Sequence, residues 1–350
     1  CSTDAFISST TCSISPATFL TWSSITFVIS TEDTVFSFNT SLLSESTLIS
    51  LTTSSAPALF SSASSLTTVT PSTTSLLAIF TCFNRRELTE RGMATLSENK
   101  NVTFDYVILD DNSSDGTREM LKKMRDDGTY QIDLIEGDGN NFWNGGMHKA
   151  IEHIKKTHMD YDYYMLMNDD TKFFPGIFDE MAPHLKKDEV TVGAICGENG
   201  GLSYGGIKYT KGIKYKKLGP DAPDVNCDTF NANCAVIPRE IFEKVGIDPF
   251  YQHSIGDFDY GLQISRLGYK IHIYPKFVGE CNDNTLQKTW QDETLPRMER
   301  IRLKESRKGL PFRDWFHFLH KNFGLGTAIV RSITPYVRII LGTKTRYSGA

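Results

Sequence analysis

The chain has 350 residues, 39% of them hydrophobic, with 37 Lys and Arg against 42 Asp and Glu and a formal net charge of −5. That length suits two ordinary domains or one large α/β domain with extensions, and the charge gives no support to nucleic-acid binding. The seven cysteines (Cys1, Cys12, Cys82, Cys196, Cys227, Cys234, Cys281) are odd in number and form no CxxC pair. This argues against a disulfide framework or zinc site and for reduced thiols in the cytoplasm. No stretch reaches the roughly 18 uninterrupted apolar residues of a membrane span.

Residues 1–75 differ from all that follows: about half are Ser or Thr, and there is no Lys or Arg before Arg85. A Ser/Thr-rich extracellular stalk is one reading, but no charged n-region precedes an apolar run as in a signal peptide. The first methionine is Met93. The segment is therefore expected to be disordered or a non-native extension, with a natural start near residues 72–76. From Leu76 strands and helices alternate. Apolar runs at 76–80, 106–109, 132–135 and 163–167 predict four strands, and helices are expected at about 87–97, 117–125 and 147–156. This order implies an α/β fold with a parallel, doubly wound sheet and ligands at the strands' carboxyl ends.

Polar motifs fall at those ends. Asn168-Asp169-Asp170-Thr171 follows the fourth strand, and two adjacent carboxylates there cost Coulomb energy unless a cation sits between them. Mg²⁺ or Mn²⁺ sharing a diphosphate would suit the oxygens; an Asx turn with solvated aspartates is the simpler alternative. The first strand ends in Thr81-Cys82-Phe83-Asn84-Arg85 and the second in Asp110-Asp111-Asn112-Ser113-Ser114-Asp115-Gly116. Such turns can offer carboxylates and amides to a nucleoside and its phosphates, although turn preference alone explains 114–116. Asn144-Gly145-Gly146 reads as a glycine-rich helix start where backbone approaches a ligand. Ile255-Gly256-Asp257-Phe258-Asp259 reads as an acidic turn before a helix, with Asp257 a candidate general base and Asp259 a candidate cap.

In this order, Thr-Cys-Phe-Asn-Arg, Leu-Asp-Asp-Asn-Ser-Ser-Asp-Gly-Thr, Asn-Asp-Asp-Thr and Gly-Asp-Phe-Asp with the following Arg-Leu-Gly-Tyr-Lys resemble the family 2 glycosyltransferases of the GT-A fold. Residues 307–315 (Arg-Lys-Gly-Leu-Pro-Phe-Arg-Asp-Trp) resemble the C-terminal extension of the rhamnosyltransferase-like bacterial branch. The resemblance implies a GT-A (Rossmann-like), mostly parallel central sheet flanked by helices over residues 76–290, with a basic helical extension over 291–350. It implies a donor site of Thr81, Asn84, Asp110, Asp111, Asn144, Gly145 and Asp169, with Asp110 facing the base and Asp169 contacting donor sugar or ribose. Asp170 would hold Mg²⁺ or Mn²⁺, and Asp257 would deprotonate the acceptor hydroxyl in an inverting displacement. The family usually has an acidic pair where this chain has Gly256-Asp257, which keeps Asp259 in view as the base. Asn231, Asn233 and Asp259 are candidates for the acceptor side.

The implied function is transfer of a sugar from a nucleotide-sugar donor to a glycan or lipid-linked acceptor, in bacterial surface polysaccharide synthesis. A catalytically silent GT-A module that binds a nucleotide sugar or glycan is the main alternative. A nucleotidyltransferase is a second, but it would want a glycine-rich basic loop after the first strand, where residues 81–86 contain no glycine. Lys208 to Lys217 reads as a hairpin or a loop over the site. Residues 297–346 carry twelve Lys and Arg against three Asp and Glu, with aromatic and aliphatic residues between them. A basic amphipathic helix of this kind predicts either peripheral contact with an anionic membrane on its cytoplasmic face or packing on the catalytic domain.

Overall fold

The computed structural model describes residues 24–31, 34–43, 46–54, 74–281 and 286–342. The chain divides into two units, Cys1–Thr68 and Val69–Ala350. In the first, β1 (Ser24–Thr31), β2 (Thr34–Leu43) and β3 (Ser46–Ser54) pair antiparallel in that order. Thr, Val and Ile, frequent in these strands, favour extended backbone. The rest of the segment expected to be disordered or non-native lies outside the described residues.

The second unit opens with β4 (Thr74–Cys82), α1 (Arg86–Leu96), β5 (Val102–Asp110), α2 (Thr117–Asp126), β6 (Ile132–Glu136), α3 (Phe142–Thr157) and β7 (Tyr163–Met167). There follow β8 (Lys172–Phe173), α4 (Ile177–Met181), β9 (Glu189–Cys196), β10 (Leu202–Tyr204), β11 (Gly206–Lys211), β12 (Lys214–Leu218), β13 (Thr229–Phe230), β14 (Cys234–Pro238) and α5 (Arg239–Lys244). Then come α6 (Gly256–Arg266), β15 (Lys270–Glu280), α7 (Arg297–Lys304), α8 (Phe312–Phe323) and α9 (Leu325–Leu341).

The main sheet runs β6-β5-β4-β7-β14-β9-β15-β8, with β10 on β9. The first four strands are parallel, as is β9 with β15; β14 runs antiparallel between β7 and β9. This is the expected α/β fold of GT-A type, a mostly parallel sheet flanked by helices with a helical C-terminal extension. Its apolar strands read as unbroken runs because both faces are covered. Leu77, Ile79, Val107 and Leu166 face one core with Met147, Ile151 and Ile154 of α3. Phe80, Ile108 and Met165 face the other with Met93 and Leu96 of α1. Full burial of each such side chain stabilises by about 1.5–3 kcal/mol.

Two helices begin earlier than their sequence suggests. α3 starts at Phe142, so Gly145 and Gly146 lie inside it and not before it. A Cβ on Gly146 would come within 2.6 Å of Thr81 Oγ1; the glycine is there to let α3 close onto β4. α6 starts at Gly256, which places Asp257 and Asp259 in its first turn. Of the two readings of 208–217, the structure has the hairpin, β11 against β12.

Candidate functional site

The carboxyl edge of β4, β5 and β7 gathers most of the expected donor residues, but their carboxylates face different ways. Asp110 is fully buried and accepts from Arg118 Nε at 2.6 Å and from the Ser113 amide at 3.2 Å. Asp111 is buried too, and its two oxygens accept from the amides of Gly139, Asn141 and Phe142 and from Asn141 Nδ2, all within 3.0 Å. Neither carboxylate is left open toward a base: Asp110 ties β5 to α2, and Asp111 grips the loop that leads into α3. Asn84, at φ 51°, locks the first loop to the second, its amide donating to Ser113 Oγ and its Oδ1 accepting from the Ser114 amide. Asp115 accepts from the amides of both Arg86 and Thr117 and so binds the first turns of α1 and α2 together.

At the end of β7 a side-chain cation bridges the two carboxylates. Arg85 Nη1 donates to Asp169 Oδ1 at 3.0 Å and to Asp170 Oδ2 at 2.7 Å. Sequence reasoning quoted Arg85 in a motif without assigning it this role. Burial pushes the Asp169 carboxyl up to about 7, Arg85 pulling it down and Asp170 pushing it up. Among the described residues Asp169 Oδ2 is buried without a partner, and Asp170 Oδ1 meets only the weak donor Cys281 Sγ at 3.6 Å. Each aspartate thus keeps one oxygen beyond Arg85, a donor set that fits a hard divalent ion.

α3 joins this acidic strand end to the first turn of α6. Trp143 Nε1 donates to Asn168 Oδ1 at 2.9 Å. Its neighbour Asn144 donates to the carbonyls of Asp248 and Tyr251 at 2.9 and 2.8 Å, and a Cβ on Gly256 would lie 1.7 Å from Asn144 Oδ1. Glycine at 256 is therefore dictated by packing, and Asn144 is a buried brace. Asp257, the next residue, is half-buried and accepts from the amides of Phe258 at 2.9 Å and Ala232 at 3.3 Å. Burial raises its carboxyl to about 6, with these amides and the Asn231 side chain opposing. Asn231 Oδ1 and Asn233 Nδ2 are buried nearby without partners, as are Thr171 Oγ1 and His253 Nδ1. Burial, then Lys308 and Arg85, hold His253 down at about 4, so it stays neutral.

Asp259 does not cap α6. Its buried carboxylate accepts from Lys321 Nζ at 2.7 Å, Gln263 Nε2 at 3.0 Å and Asn322 Nδ2 at 2.9 Å, clamping α8 onto α6. Beside Asp257 stands an aromatic wall that sequence reasoning missed. Tyr215 packs edge-on against Phe258 at 5.7 Å and Tyr209 against Phe323 at 5.1 Å, which brings the hairpin and the C-terminal extension to the same place. The 304–311 connection also reaches the α3 entry, where Arg307 lies over the Phe142 ring and donates to Asn140 Oδ1 at 3.2 Å. Backbone strain gathers here as well: four of the six non-glycine residues at positive φ among the described residues are Asn84, Asn112, Phe142 and Ile255. Such conformations cost about 1–3 kcal/mol each and cluster at working sites.

A strained carboxyl edge with two acidic strand ends, and an acid raised toward neutrality in the first turn of α6, make up the candidate site of this α/β unit. Residues 78–246 match the model of Glycosyl transferase family 2. No curated protein matches the chain. Among solved structures it is similar to the mannosyltransferase PcManGT from Pyrobaculum calidifontis in complex with GDP-Man and Mn²⁺, at 14% identity over 76% of this chain and 78% of that one, TM-score 0.46. It is also similar to S. aureus TarS 1–349, at 12% identity over 76% and 81%, TM-score 0.46, and to the same fragment with UDP-GlcNAc, at 10% identity over 76% and 81%, TM-score 0.46.

Proposed function

We propose that the chain is an inverting glycosyltransferase that moves a sugar from a nucleoside diphosphate donor to a hydroxyl of a glycan or lipid-linked acceptor. One observation carries this reading: consecutive residues of α3, Trp143 and Asn144, touch the Asp169-Asp170 strand end on one side and the Asp257 turn on the other. The strand end proposed to hold the leaving group and the turn proposed to carry the base thus both meet a single helix start. Asp170, with Asp169, would hold Mg²⁺ or Mn²⁺, which when bound neutralises charge on the departing diphosphate. Arg85 keeps the two carboxylates fixed and adds positive charge beside the same phosphates. Asp111 sets the α3 entry loop, and Thr81 and Asn84 shape the nucleoside end. Asp257 takes the proton of the attacking hydroxyl, with Asn231, Asn233, Tyr209 and Tyr215 around the acceptor. Gly256, the residue on which a catalytically silent reading rested, has a packing reason of its own.

The test is a panel of UDP-, dTDP- and GDP-sugars with Mn²⁺ or Mg²⁺, read by mass of the product; the likeness of residues 307–315 favours a hexosyl or rhamnosyl donor of surface polysaccharide synthesis. Transfer from none of them to any hydroxyl acceptor would refute the enzyme reading. Because Asp257 acts as a base only when ionised and its carboxyl sits near 6, kcat/KM is expected to rise as pH passes upward through about 6 and then level off. A flat profile between pH 5 and pH 8 would remove Asp257 from that role.

The extension supports both readings of its composition, one for each helix. α8 packs on the catalytic unit through Trp315, Phe318 and Leu319, and fully buried Lys304 donates to the Leu310 carbonyl and to Tyr336 Oη, joining α7 to α9. α9 buries Ala328, Ser332 and Ile339 yet exposes Leu325, Ile329, Val330, Ile333, Val337, Ile340 and Leu341. Their spacing puts them on one face, with Arg331 and Arg338 between it and the buried side. No helix among the described residues is long and apolar enough to cross a membrane. A face of this kind suits peripheral docking on anionic lipid, close to a lipid-linked acceptor. Co-sedimentation with phosphatidylglycerol vesicles is expected to fall more than tenfold in an Ile329→Glu, Val330→Glu, Ile333→Glu variant that keeps transfer to a water-soluble acceptor. Equal sedimentation of variant and wild type would show that α9 does not dock.

A further inference from the structure

We propose that Asp133, His153 and His158 form a binding site for a divalent ion of the zinc type, at the outer edge of the sheet and independent of Asp169 and Asp170. Asp133 lies in β6, the edge strand of the main sheet. His153 Nε2 stands 2.6 Å and His158 Nε2 2.8 Å from the same oxygen, Asp133 Oδ2. The three ligand atoms lie within 4.8 Å of one another. An aspartate that merely pins a helix would spread two donors over two oxygens or take a Lys or Arg. Here both rings converge on one point, and among the described residues no Lys or Arg pairs with Asp133.

The convergence has a backbone cause. Residues five apart on a continuous helix point about 140° away from each other. α3 ends at Thr157, and His158 leaves it with φ −133° and ψ 45°, which swings its ring back to the side of His153. The donor set is two imidazoles and one carboxylate, the composition that suits Zn²⁺ and its relatives, whereas Mg²⁺ takes oxygens alone. Bonds of about 2.0–2.2 Å in a tetrahedron put ligand atoms roughly 3.4 Å apart, so the nitrogens would draw back from Asp133 by about 0.5–0.8 Å. Side chains that are 35%, 30% and 34% exposed for His153, His158 and Asp133 can make that adjustment and leave a fourth position for water. The ion would clamp the end of α3 to β6. The start of the same helix is the loop that Asp111 grips, so the clamp would steady the helix that carries Trp143 and Asn144.

The experiment is titration of the full chain, stripped with a chelator, first with Co²⁺ and then with Zn²⁺. The expected result is one equivalent of Co²⁺ with the visible bands of a four-coordinate ion and no thiolate charge-transfer band, displaced by Zn²⁺ and not by Mg²⁺. Zn²⁺ alone should also raise the melting temperature, since it binds the folded form. His153→Gln with His158→Gln, checked for fold by its own metal-free melting curve, should weaken binding on the order of a hundredfold, and Asp170→Asn should not. Absence of the bands in the wild-type protein, a thiolate band, or unchanged affinity in the histidine variant would each overturn the proposal. The wild-type spectrum decides the question even if the variant does not fold.

Discussion

Asp257→Asn is expected to lower sugar transfer by about 10²–10⁴-fold, the usual contribution of a positioned general base, while donor affinity stays within a few-fold. The substitution is nearly isosteric. Its oxygen can still accept from one of the Phe258 and Ala232 amides that hold the carboxylate now, so the turn should persist. What is lost is the charge that takes the acceptor proton. The donor site proposed at Asp169 and Asp170 makes no call on that charge. Asp259 supplies the contrast. Its carboxylate is occupied by Lys321, Gln263 and Asn322, so Asp259→Asn should lower the melting temperature and spare the pH dependence of transfer. Steady-state kinetics with calorimetric donor titration separates the two. If Asp257→Asn kept full activity and Asp259→Asn lost it, the base assignment would be inverted.

The largest stability effect is expected for Arg118→Ala. Asp110 is fully buried at the end of β5, and Arg118, itself only 17% exposed, is its sole charged partner among the described residues. Removing one member of a buried pair leaves the other uncompensated, at a cost of about 3–5 kcal/mol. Chemical denaturation should record that loss as a lower midpoint with little change in slope. Arg118→Lys should recover part of it, because an ammonium can meet Asp110 but cannot also reach Glu136 as the guanidinium does. Donor affinity should fall with Arg118→Ala as well, since the β5 loop that Asp110 anchors is part of the donor end. An unfolding free energy within about 1 kcal/mol of wild type would mean that Asp110 takes up a proton or reaches water when Arg118 is gone.

The strands were legible because a parallel sheet covered on both faces leaves its signature in a single chain segment. Tyr163 to Met167 is five apolar residues in sequence and five buried residues in the fold. The starts of α3 and α6 were not legible, because Gly145, Gly146 and Gly256 look locally like helix boundaries. The placement of Gly146 and Gly256 answers to Thr81 and Asn144, residues far off in sequence. The site motifs were readable as a set and not as a division of roles. Nothing local to Asp110 or Asp111 says that one turns toward a helix and the other toward a loop. Nothing local to Arg85 says that it spans two carboxylates 84 and 85 residues away. The aromatic wall of Tyr209 and Tyr215 was equally hidden, since alternating Lys and Tyr in a hairpin fits a solvated ribbon as well as a packed one. Asp259 read as a cap from its position near a helix start, and only the fold brings Lys321 to it.

The central claim is a nucleotide-sugar site at the end of β7 whose metal is held by Asp170. It is tested most directly by equilibrium binding of nucleoside diphosphate sugars to the full chain, with Mn²⁺ and with chelator, in wild type and Asp170→Asn. At least one donor is expected to bind with Mn²⁺, chelator to weaken it at least tenfold, and Asp170→Asn to remove this metal dependence without lowering the metal-free melting temperature. Donor binding of equal strength with and without metal, or unchanged metal dependence in Asp170→Asn, would contradict it.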